Sequence, residues 1–451
     1  MITLTTQQKA ACLETAKALI AFPSVCQPAE GAMPFGKDIQ ACLEYALDYC
    51  QSLGFTTYLD PAGYYGYADY GQGEELIGII GHLDVVPEGD HSLWQTDPFT
   101  GTVIADKLYG RGSGDDKGPT AASLHGLKAV IDSGVPFKKR VRYIFSTDEE
   151  SMFRCLKAYR QQEEIPTATL VPDGHFPFTY GEKGLVNIKL HGPGAADFNL
   201  KGGDAFNIVP SKAHYQGPQL TEILAQLTAN NQDVTQTGSD ALTVTGTAVH
   251  ASVNHLGNNA VSQLAVALNH YTQHPLLQFI AQEIGLDPHG KALLGELEDD
   301  ISGKVAFNLG KLEINEDSSQ LWLDIRYPLV ADYAEMCQKI ETVSHAYGLR
   351  FEEYDQWDGA LVPLDTPFLQ TVLTTYQDLT KDFTAPGVTT GATLARTLPN
   401  AIAFGTKSSQ STNSTAHQAN EYVELSDLYN GMTIYANVLE KLVTSEASLL
   451  A

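Results

Sequence analysis

Histidines and acidic side chains follow predicted strands in this sequence, where open α/β sheets usually bind ligands. His82 and Asp84 follow the apolar run 75–80, and Asp115 and Asp116 lie in the glycine-rich stretch GRGSGDDKG. An imidazole binds a metal through one ring nitrogen while a carboxylate holds the other N–H. Two adjacent carboxylates in a tight loop repel each other unless a cation neutralises them. Both places suit a cation site, although a solvated loop and a plain glycine turn are the alternatives.

A third group of acids lies in the stretch STDEES, directly after the apolar run 141–145. Thr147 and Glu150 have the spacing of a capping box, and acids suit the first turn of a helix. That alternative does not explain why Asp148, Glu149 and Glu150 should all be adjacent. A bound cation would explain them, because it neutralises their mutual repulsion.

Two further donors complete a mixed nitrogen and oxygen set. Asp173 follows the apolar run 168–171, and His417 lies in AHQANE near the end of the sequence. Each segment taken singly also fits an ordinary turn. Together the donors suit zinc, cobalt or manganese and are too hard for a metal that prefers thiolates. The predicted ligand set is His82, Asp115, Glu150, Asp173 and His417.

The elements that must position these donors predict an α/β fold. Helical spacing of apolar residues covers 7–21 and 38–53, and Pro119 as first residue with Gly134 beyond the end delimits a helix over 119–133. Helices that alternate with short apolar strands indicate a catalytic domain with a mixed central sheet flanked by helices. The remaining predicted elements are helices over 366–378 and 425–442 and a strand over 400–405.

The middle of the sequence has a different residue pattern, in which predicted strands alternate with glycine-rich turns, as in LVNIKLHG and LWLDIRYPL. We therefore expect an inserted α+β domain over 186–355 within a discontinuous catalytic domain of residues 1–185 and 356–451. The stretch GTKSSQSTNST, residues 405–415, is poor in apolar side chains, which predicts an exposed, mobile loop.

Composition excludes several classes of protein. The 451 residues are 43% hydrophobic and 18% charged, which is ordinary for a globular chain. Lys+Arg 28 against Asp+Glu 54 gives a net charge of -26, so we expect neither a nucleic acid nor a membrane partner. The N-terminus lacks a signal-peptide pattern, and the 6 cysteines form no C-x-x-C pair. We expect a cytoplasmic protein with reduced cysteines, a disulfide framework being the alternative.

The motifs of this sequence resemble those of the co-catalytic metallopeptidase family that includes carboxypeptidase G, aminoacylase, succinyl-diaminopimelate desuccinylase and the bacterial V-type dipeptidases related to carnosinase. The resemblance runs from about residue 10 to 440, with the motifs in the family's order. The motifs are GHLDVVPEGD, LYGRGSGDDKGP, STDEES, VPDGHFP, GEKG, FNIVP, VHAS, DIRYP, GATLAR and AHQANEY.

The resemblance implies a centre of two divalent metal ions, expected to be zinc, with cobalt or manganese as alternatives. Asp115 would bridge the ions, His417 and Glu150 would complete one site, and His82 and Asp173 the other. Further implied features are Glu149 as the general base, Asp84 as the residue that orients His82, and a cis Asp115–Asp116 peptide bond.

The resemblance also implies that the inserted domain is a lid that binds substrate. His250 in VHAS would stabilise the oxyanion, while Asn207 and Arg326 would bind substrate, with Arg326 gripping the substrate's carboxylate. The resemblance places Gly391 and Thr393 in the substrate loop, where they would bind substrate. This loop departs from the family pattern because Ala392 replaces a second glycine, and the Ser/Thr-rich run before AHQANE replaces a Phe-Pro-Gly turn.

Among the family's activities, the resemblance favours hydrolysis of the amide bond of dipeptides by a metal-bridging water that Glu149 activates. The inserted block looks larger than the dimerisation domain of dimeric relatives and more like the doubled lid of V-type dipeptidases. We therefore expect a monomer that acts on small peptides. The alternatives are an N-acyl amino-acid deacylase of desuccinylase or deacetylase type, and an inactive relative that only binds peptides or metal.

Overall fold

A computed structural model of the protein describes residues 1–409 and 415–451. Its α-helices are α1 (Thr6–Ile20), α2 (Lys37–Ser52), α3 (Lys117–Asp132), α4 (Arg154–Gln162), α5 (Leu220–Ala229), α6 (Ala260–Leu268), α7 (Pro275–Phe279), α8 (Lys291–Leu294), α9 (Tyr333–Ala346), α10 (Pro367–Thr380) and α11 (Leu425–Thr444). Its strands are β1 (Thr56–Leu59), β2 (Gly66–Tyr70), β3 (Leu76–His82), β4 (Thr102–Ile104), β5 (Lys107–Tyr109), β6 (Arg140–Ser146), β7 (Ala168–Val171), β8 (Thr179–Glu182), β9 (Gly184–Pro193), β10 (Asn199–Gly202), β11 (Lys212–Gln216), β12 (Asp233–Gln236), β13 (Ala241–Thr245), β14 (Glu298–Asp299), β15 (Gly303–Lys304), β16 (Ala306–Ile314), β17 (Ser318–Tyr327), β18 (Arg350–Trp357), β19 (Ala360–Leu361), β20 (Gly387–Thr389), β21 (Ala401–Ala403) and β22 (Tyr422–Glu424).

The described residues form two compact units. The first unit is discontinuous and consists of Met1–Gly181, Leu361–Gly387 and Thr393–Ala451. The second consists of Glu182–Ala360 and Val388–Ala392. Each unit has its own cluster of buried apolar side chains, as an independent core requires.

The first unit is built on a mixed sheet in the order β1-β2-β6-β3-β7-β21-β8, which confirms the predicted α/β class. β3 is parallel to both β6 and β7, and β7 is parallel to β21, whereas β1, β2 and β8 pair antiparallel. All seven residues of β3 are buried. A continuous apolar run of this kind is typical of a strand covered on both faces.

Helices cover this sheet, and α3 packs against α1 and α11. The predicted helix over 119–133 begins two residues earlier, at Lys117, so Pro119 is its third residue and the prediction of Pro119 at the first position was wrong. The structure tolerates this because the first N–H groups of a helix have no intrahelical acceptor, so a proline anywhere in the first turn removes no bond. Gly134 lies beyond the end with φ +71°, as predicted for a helix stop.

The second unit is an antiparallel sheet in the order β12-β13-β11-β10-β16-β17-β9-β18, with helices packed on it. The helices α6, α7 and α9 contribute to its apolar core. In β17, Leu321, Leu323 and Ile325 are buried in that core. Because side chains alternate along a strand, Asp324 and Arg326 point to the opposite face of the sheet.

Three other predictions concern the chain as a whole. Residues 410–414 of the predicted mobile loop 405–415 lie outside the described residues. None of the cysteines is in a disulfide, which excludes the disulfide alternative. Among the helices that the structure describes, none is both long and apolar enough to cross a bilayer.

Gly118 offers a test of the packing around α3. A Cβ added there would lie 2.1 Å from the carbonyl oxygen of Ser113, an overlap that side-chain motion cannot relieve. We expect Gly118→Ala to lower the free energy of unfolding of the metal-free protein by about 1–3 kcal/mol, measured by urea denaturation. Gly387→Ala is the matched control, because its added Cβ meets nothing within 4 Å. Equal stabilities for the two variants would contradict the packing described here.

Candidate metal centre

The carboxyl ends of three parallel strands bring three of the predicted ligands, His82, Glu150 and Asp173, to one edge of the sheet. His82 is the last residue of β3 and pairs in register with Ser146, the last residue of β6. Glu149 and Glu150 therefore follow β6 at the level of His82. Asp173 follows β7 on the other side of β3. These three donors follow strands, as the sequence indicated, whereas Asp115 lies in the turn before α3 and His417 in the turn before β22.

Asp84 holds two of these segments together. Its carbonyl oxygen lies 2.9 Å from His82 Nδ1, whereas its carboxylate is 3.7 Å away. The carboxylate instead accepts hydrogen bonds from the backbone N–H groups of Glu149 and Glu150, at 3.1 and 2.9 Å. Because a carbonyl oxygen only accepts, Nδ1 carries the proton and Nε2 is the nitrogen left for a metal.

The capping-box alternative for STDEES is wrong. The helix after this stretch begins at Arg154, and its N-cap is Phe153 rather than Thr147. Asp148 is buried and accepts hydrogen bonds from the Arg154 guanidinium at 2.6 and 2.7 Å. The acids therefore have separate partners: Asp148 pairs with a cation of the chain, and Glu150 faces His417 at 3.0 Å.

The two carboxylate oxygens of Asp115 face different histidines. Oδ1 lies 3.0 Å from His82 Nε2, and Oδ2 lies 3.4 Å from His417 Nε2. Ligand atoms of His82, Asp115 and Glu150 all lie within 4.8 Å of one another. Two ligand atoms bound to one tetrahedral zinc are about 3.3 Å apart, so these spacings fit a metal centre. The Asp115–Asp116 bond is cis, as predicted.

The charges of this cluster also fit a cation. Burial raises the pKa of Glu150 to about 7, and the neighbouring charge of Asp115 adds to this effect. Hydrogen bonds to Asp115 and Glu150 raise the pKa of His417 to about 11. Without a metal, protons are therefore held among these groups to offset their negative charge. A divalent ion would replace those protons.

Glu149 and Asp173 complete the acidic cluster. Burial raises the pKa of Glu149 well above its usual range; His82 opposes this rise, while Glu150 and Asp173 add to it. Asp173 therefore lies within electrostatic reach of Glu149. Asp116, which follows Asp115, is buried and accepts a hydrogen bond from the backbone N–H of His82 at 3.2 Å. It therefore stabilises the end of β3.

In the second unit, Asn207 and His250 lie on adjoining backbone segments. The Asn207 carbonyl oxygen accepts a hydrogen bond from the Ala251 N–H at 2.8 Å, and Ile208 forms a β-bridge with His250. The buried Asn308 side chain donates to the carbonyl oxygens on either side of Asn207, at 2.7 and 3.1 Å. These contacts fix the backbone position of Asn207, a predicted substrate-binding residue, and of His250, the residue predicted to stabilise the oxyanion, within their unit.

Arg326 is buried and has an internal partner that the sequence did not reveal. Its Nε and Nη2 donate to the Asp324 carboxylate at 2.6 and 2.9 Å. Its Nη1 is buried with no hydrogen-bond partner among the described residues. One edge of the guanidinium is therefore committed to Asp324, and a substrate carboxylate would have to meet the edge that includes Nη1.

The predicted substrate-loop residues make local hydrogen bonds. The Gly391 N–H donates to Thr389 Oγ1 at 2.9 Å. Thr393 Oγ1 accepts from the Ala395 N–H at 3.1 Å and caps the short turn Leu394–Thr397.

Comparison with known proteins identifies the family. The family model for peptidase family M20/M25/M40 matches residues 78–441. The chain belongs to this family. Members of the M20 family are metallopeptidases with a dinuclear metal site.

Individual relatives match more than nine-tenths of this chain. "Putative dipeptidase YtjP" of Bacillus subtilis (strain 168) is 34% identical over 91% of this chain and 92% of its own. SH1171 of Staphylococcus haemolyticus (strain JCSC1435), with the same description, is 30% identical over 95% and 96%. The solved di-peptidase Dug1p of Saccharomyces cerevisiae has a TM-score of 0.61 at 14% identity, covering 98% of both chains. That last likeness establishes the shared fold.

Sequence reasoning assigned no role to one buried acid, Glu421, although the motif AHQANEY contains it. Its side chain is 1% exposed and forms an ion pair with Arg111. The only signal was an acid four residues after His417, and that spacing alone does not distinguish a buried acid from an exposed one.

The raised pKa of His417 predicts proton release when metal binds. At pH 7 its imidazole is still protonated, because its pKa is raised to about 11, whereas a metal needs the neutral ring. We expect zinc to release protons and its affinity to rise about tenfold per pH unit for each proton released. Calorimetric titration with zinc in two buffers of different ionisation enthalpy measures the number of protons. Identical heats in both buffers would contradict the prediction.

Proposed function

We propose that this chain hydrolyses the amide bond of dipeptides at a centre of two divalent metal ions, with zinc as the preferred ion. The observation that carries the proposal is Asp115, whose two oxygens face His82 and His417 separately, as a carboxylate shared between two ions would. The relatives YtjP and SH1171, each described as "Putative dipeptidase", support this substrate class.

Five side chains would hold the ions. We assign His82 and Asp173 to one ion, Glu150 and His417 to the other, and Asp115 to both. Nitrogen and oxygen donors without a thiolate suit zinc, with cobalt or manganese as alternatives. When bound, the ions would supply Lewis acidity, which lowers the pKa of water and polarises a carbonyl group.

Glu149 is the residue we assign as general base. Burial raises the pKa of its carboxyl group, which makes its carboxylate a stronger proton acceptor than an exposed one. The hydrogen bond from its backbone N–H to Asp84, at 3.1 Å, fixes the start of its side chain. Glu149 would take a proton from the attacking water and later give it to the leaving amine.

Five further residues would recognise the substrate or stabilise the reaction. We assign the oxyanion of the reaction to His250, and the free carboxylate of the dipeptide to Arg326, through the edge that includes Nη1. Asn207, Gly391 and Thr393 would bind the remaining polar groups of the substrate. Recognition of a free C-terminal carboxylate would favour substrates whose C-terminus is unblocked.

Two further expectations belong to this proposal. Since the inserted block looks larger than the dimerisation domain of dimeric relatives, we propose that the monomer is the active form. We also propose that the protein functions in a reducing compartment such as the cytoplasm, because all six cysteines are free.

Replacement of Glu149 tests the general-base assignment. We expect Glu149→Gln to bind two zinc ions as the wild type does but to lose about 10²–10⁴-fold in kcat, because the amide cannot accept the proton. Metal content by mass spectrometry and kcat are measured on the same sample. The control is Glu164→Gln, at a side chain that is 49% exposed and pairs with Arg140. Substantial turnover by a metal-loaded Glu149→Gln variant would reject the assignment.

A substrate panel tests the proposed bond and length. The zinc-, cobalt- and manganese-loaded chain is assayed against dipeptides, tripeptides, dipeptide amides and N-acyl amino acids. We expect dipeptides to have the highest kcat/KM, and amidation of their C-terminus to lower it because Arg326 loses its anionic partner. Higher kcat/KM for N-succinyl or N-acetyl amino acids would establish a deacylase instead. No turnover with any ion would indicate an inactive relative.

A further inference from the structure

The carboxylate of Glu421 lies inside the loop that carries Asp115. Oε1 accepts a hydrogen bond from the Gly114 N–H at 2.9 Å, and Oε2 accepts one from the Gly112 N–H at 3.2 Å. The backbone carbonyl of Glu421 accepts a third, from the Gly110 N–H at 3.0 Å. Glu421 therefore contacts the loop backbone at three points, and one of them, Gly114, directly precedes Asp115.

Arg111, a residue of the same loop, also binds the Glu421 carboxylate. We call the contacts of Glu421 with Arg111 and the loop backbone the clamp. Its Nη1 donates to Glu421 Oε2 at 2.6 Å, and its Nη2 donates to the Pro87 carbonyl oxygen at 3.2 Å. The side chains of Arg111 and Glu421 are 2% and 1% exposed. A buried ion pair with this many hydrogen bonds resists rearrangement, because loss of either partner leaves an uncompensated buried charge.

The same residue is tied to the other metal-ligand segment. Glu421 is four residues after His417 and directly precedes β22, whose Tyr422 pairs with Tyr109 in β5. The Tyr422 N–H also donates to Thr415 Oγ1 at 3.1 Å, and this bond closes the turn that contains His417. Glu421 thus joins two segments that are far apart in sequence, since 310 residues separate it from Arg111.

We infer that Glu421 is a positioning residue of the metal centre, which fastens the Asp115 loop to the His417 segment and so sets the distance between these two ligands. It would act through those ligands and would not touch a metal or the substrate. The inference rests on the proposed function only in taking Asp115 and His417 as ligands of one ion.

The clamp requires a carboxylate rather than an amide. Three N–H donors point at the two side-chain oxygens: Arg111 Nη1, the Gly112 N–H and the Gly114 N–H. A glutamine has one acceptor oxygen, so its NH₂ group would face at least one of these donors. Glu421→Gln keeps the size of the side chain, loses at least one bond to the loop and leaves the Arg111 charge without a buried counter-ion.

Zinc binding by the full-length chain tests this role. We expect Glu421→Gln to bind zinc about 10- to 100-fold more weakly than the wild type, measured by competition with a chromophoric chelator. The lost dipeptide turnover should return at excess zinc. Glu424→Gln is the matched control, because Glu424 lies three residues further on, is 40% exposed and pairs with Lys107. Its zinc affinity should equal that of the wild type.

Separate outcomes decide between positioning and simple structural support. A lower melting temperature of the metal-free Glu421→Gln protein with unchanged zinc affinity would overturn the inference. Should that variant not fold, Glu421→Asp decides, because it keeps the charge but withdraws the carboxylate from Gly114; we expect about tenfold weaker zinc binding, and unchanged binding would overturn the inference. A wild-type chain without any tight zinc site would overturn the proposed function itself.

Discussion

The first unit depends on one electrostatic constraint, the placement of Asp115 between His417 and His82, the residue that ends the buried strand β3. Its carboxylate has a pKa well below the usual range: burial alone would raise it, but the hydrogen bonds from His417 and His82 lower it. Several further carboxylates lie around it, and buried charges are costly unless paired or bound to a metal. The neighbouring glutamates therefore have raised pKa values, as expected for a site that binds cations.

The fold reconciles this charge with a stable core. The strands β3, β6 and β7 are buried along almost their whole length, and the acidic groups begin where the strands end. The Asp84 carboxylate accepts hydrogen bonds from the backbone N–H groups of Glu149 and Glu150. The turn after β6 is therefore held by a side chain and not by the hydrogen bonds of a helix. These fixed contacts limit the movement of the acidic segments, and this pre-organises the ligands.

Much of this could be predicted from sequence, because the relevant signals are local. Continuous apolar runs predicted β3, β6 and β7, and Gly134 predicted the end of α3. The positions of the donors after these runs followed directly from those predictions. The error at Pro119 arose because one proline is compatible with several positions in the first turn of a helix.

Other features depend on partners distant in sequence, which no local pattern reveals. The Asp84 carboxylate binds N–H groups 65 and 66 residues away, so its role as a link between segments was not foreseen. Arg326 was expected to be available to a substrate, yet the neighbouring Asp324 binds one edge of it. Glu421 is the strongest example, since its partner Arg111 is 310 residues distant.

The most direct test of the account is the location of bound zinc in crystals of the zinc-loaded protein, by anomalous diffraction on both sides of the zinc absorption edge. The account predicts two anomalous peaks in the first unit, one on each side of the Asp115 carboxylate, the first bound by His82 and the second by His417. A single peak, or peaks that do not contact Asp115, would contradict it.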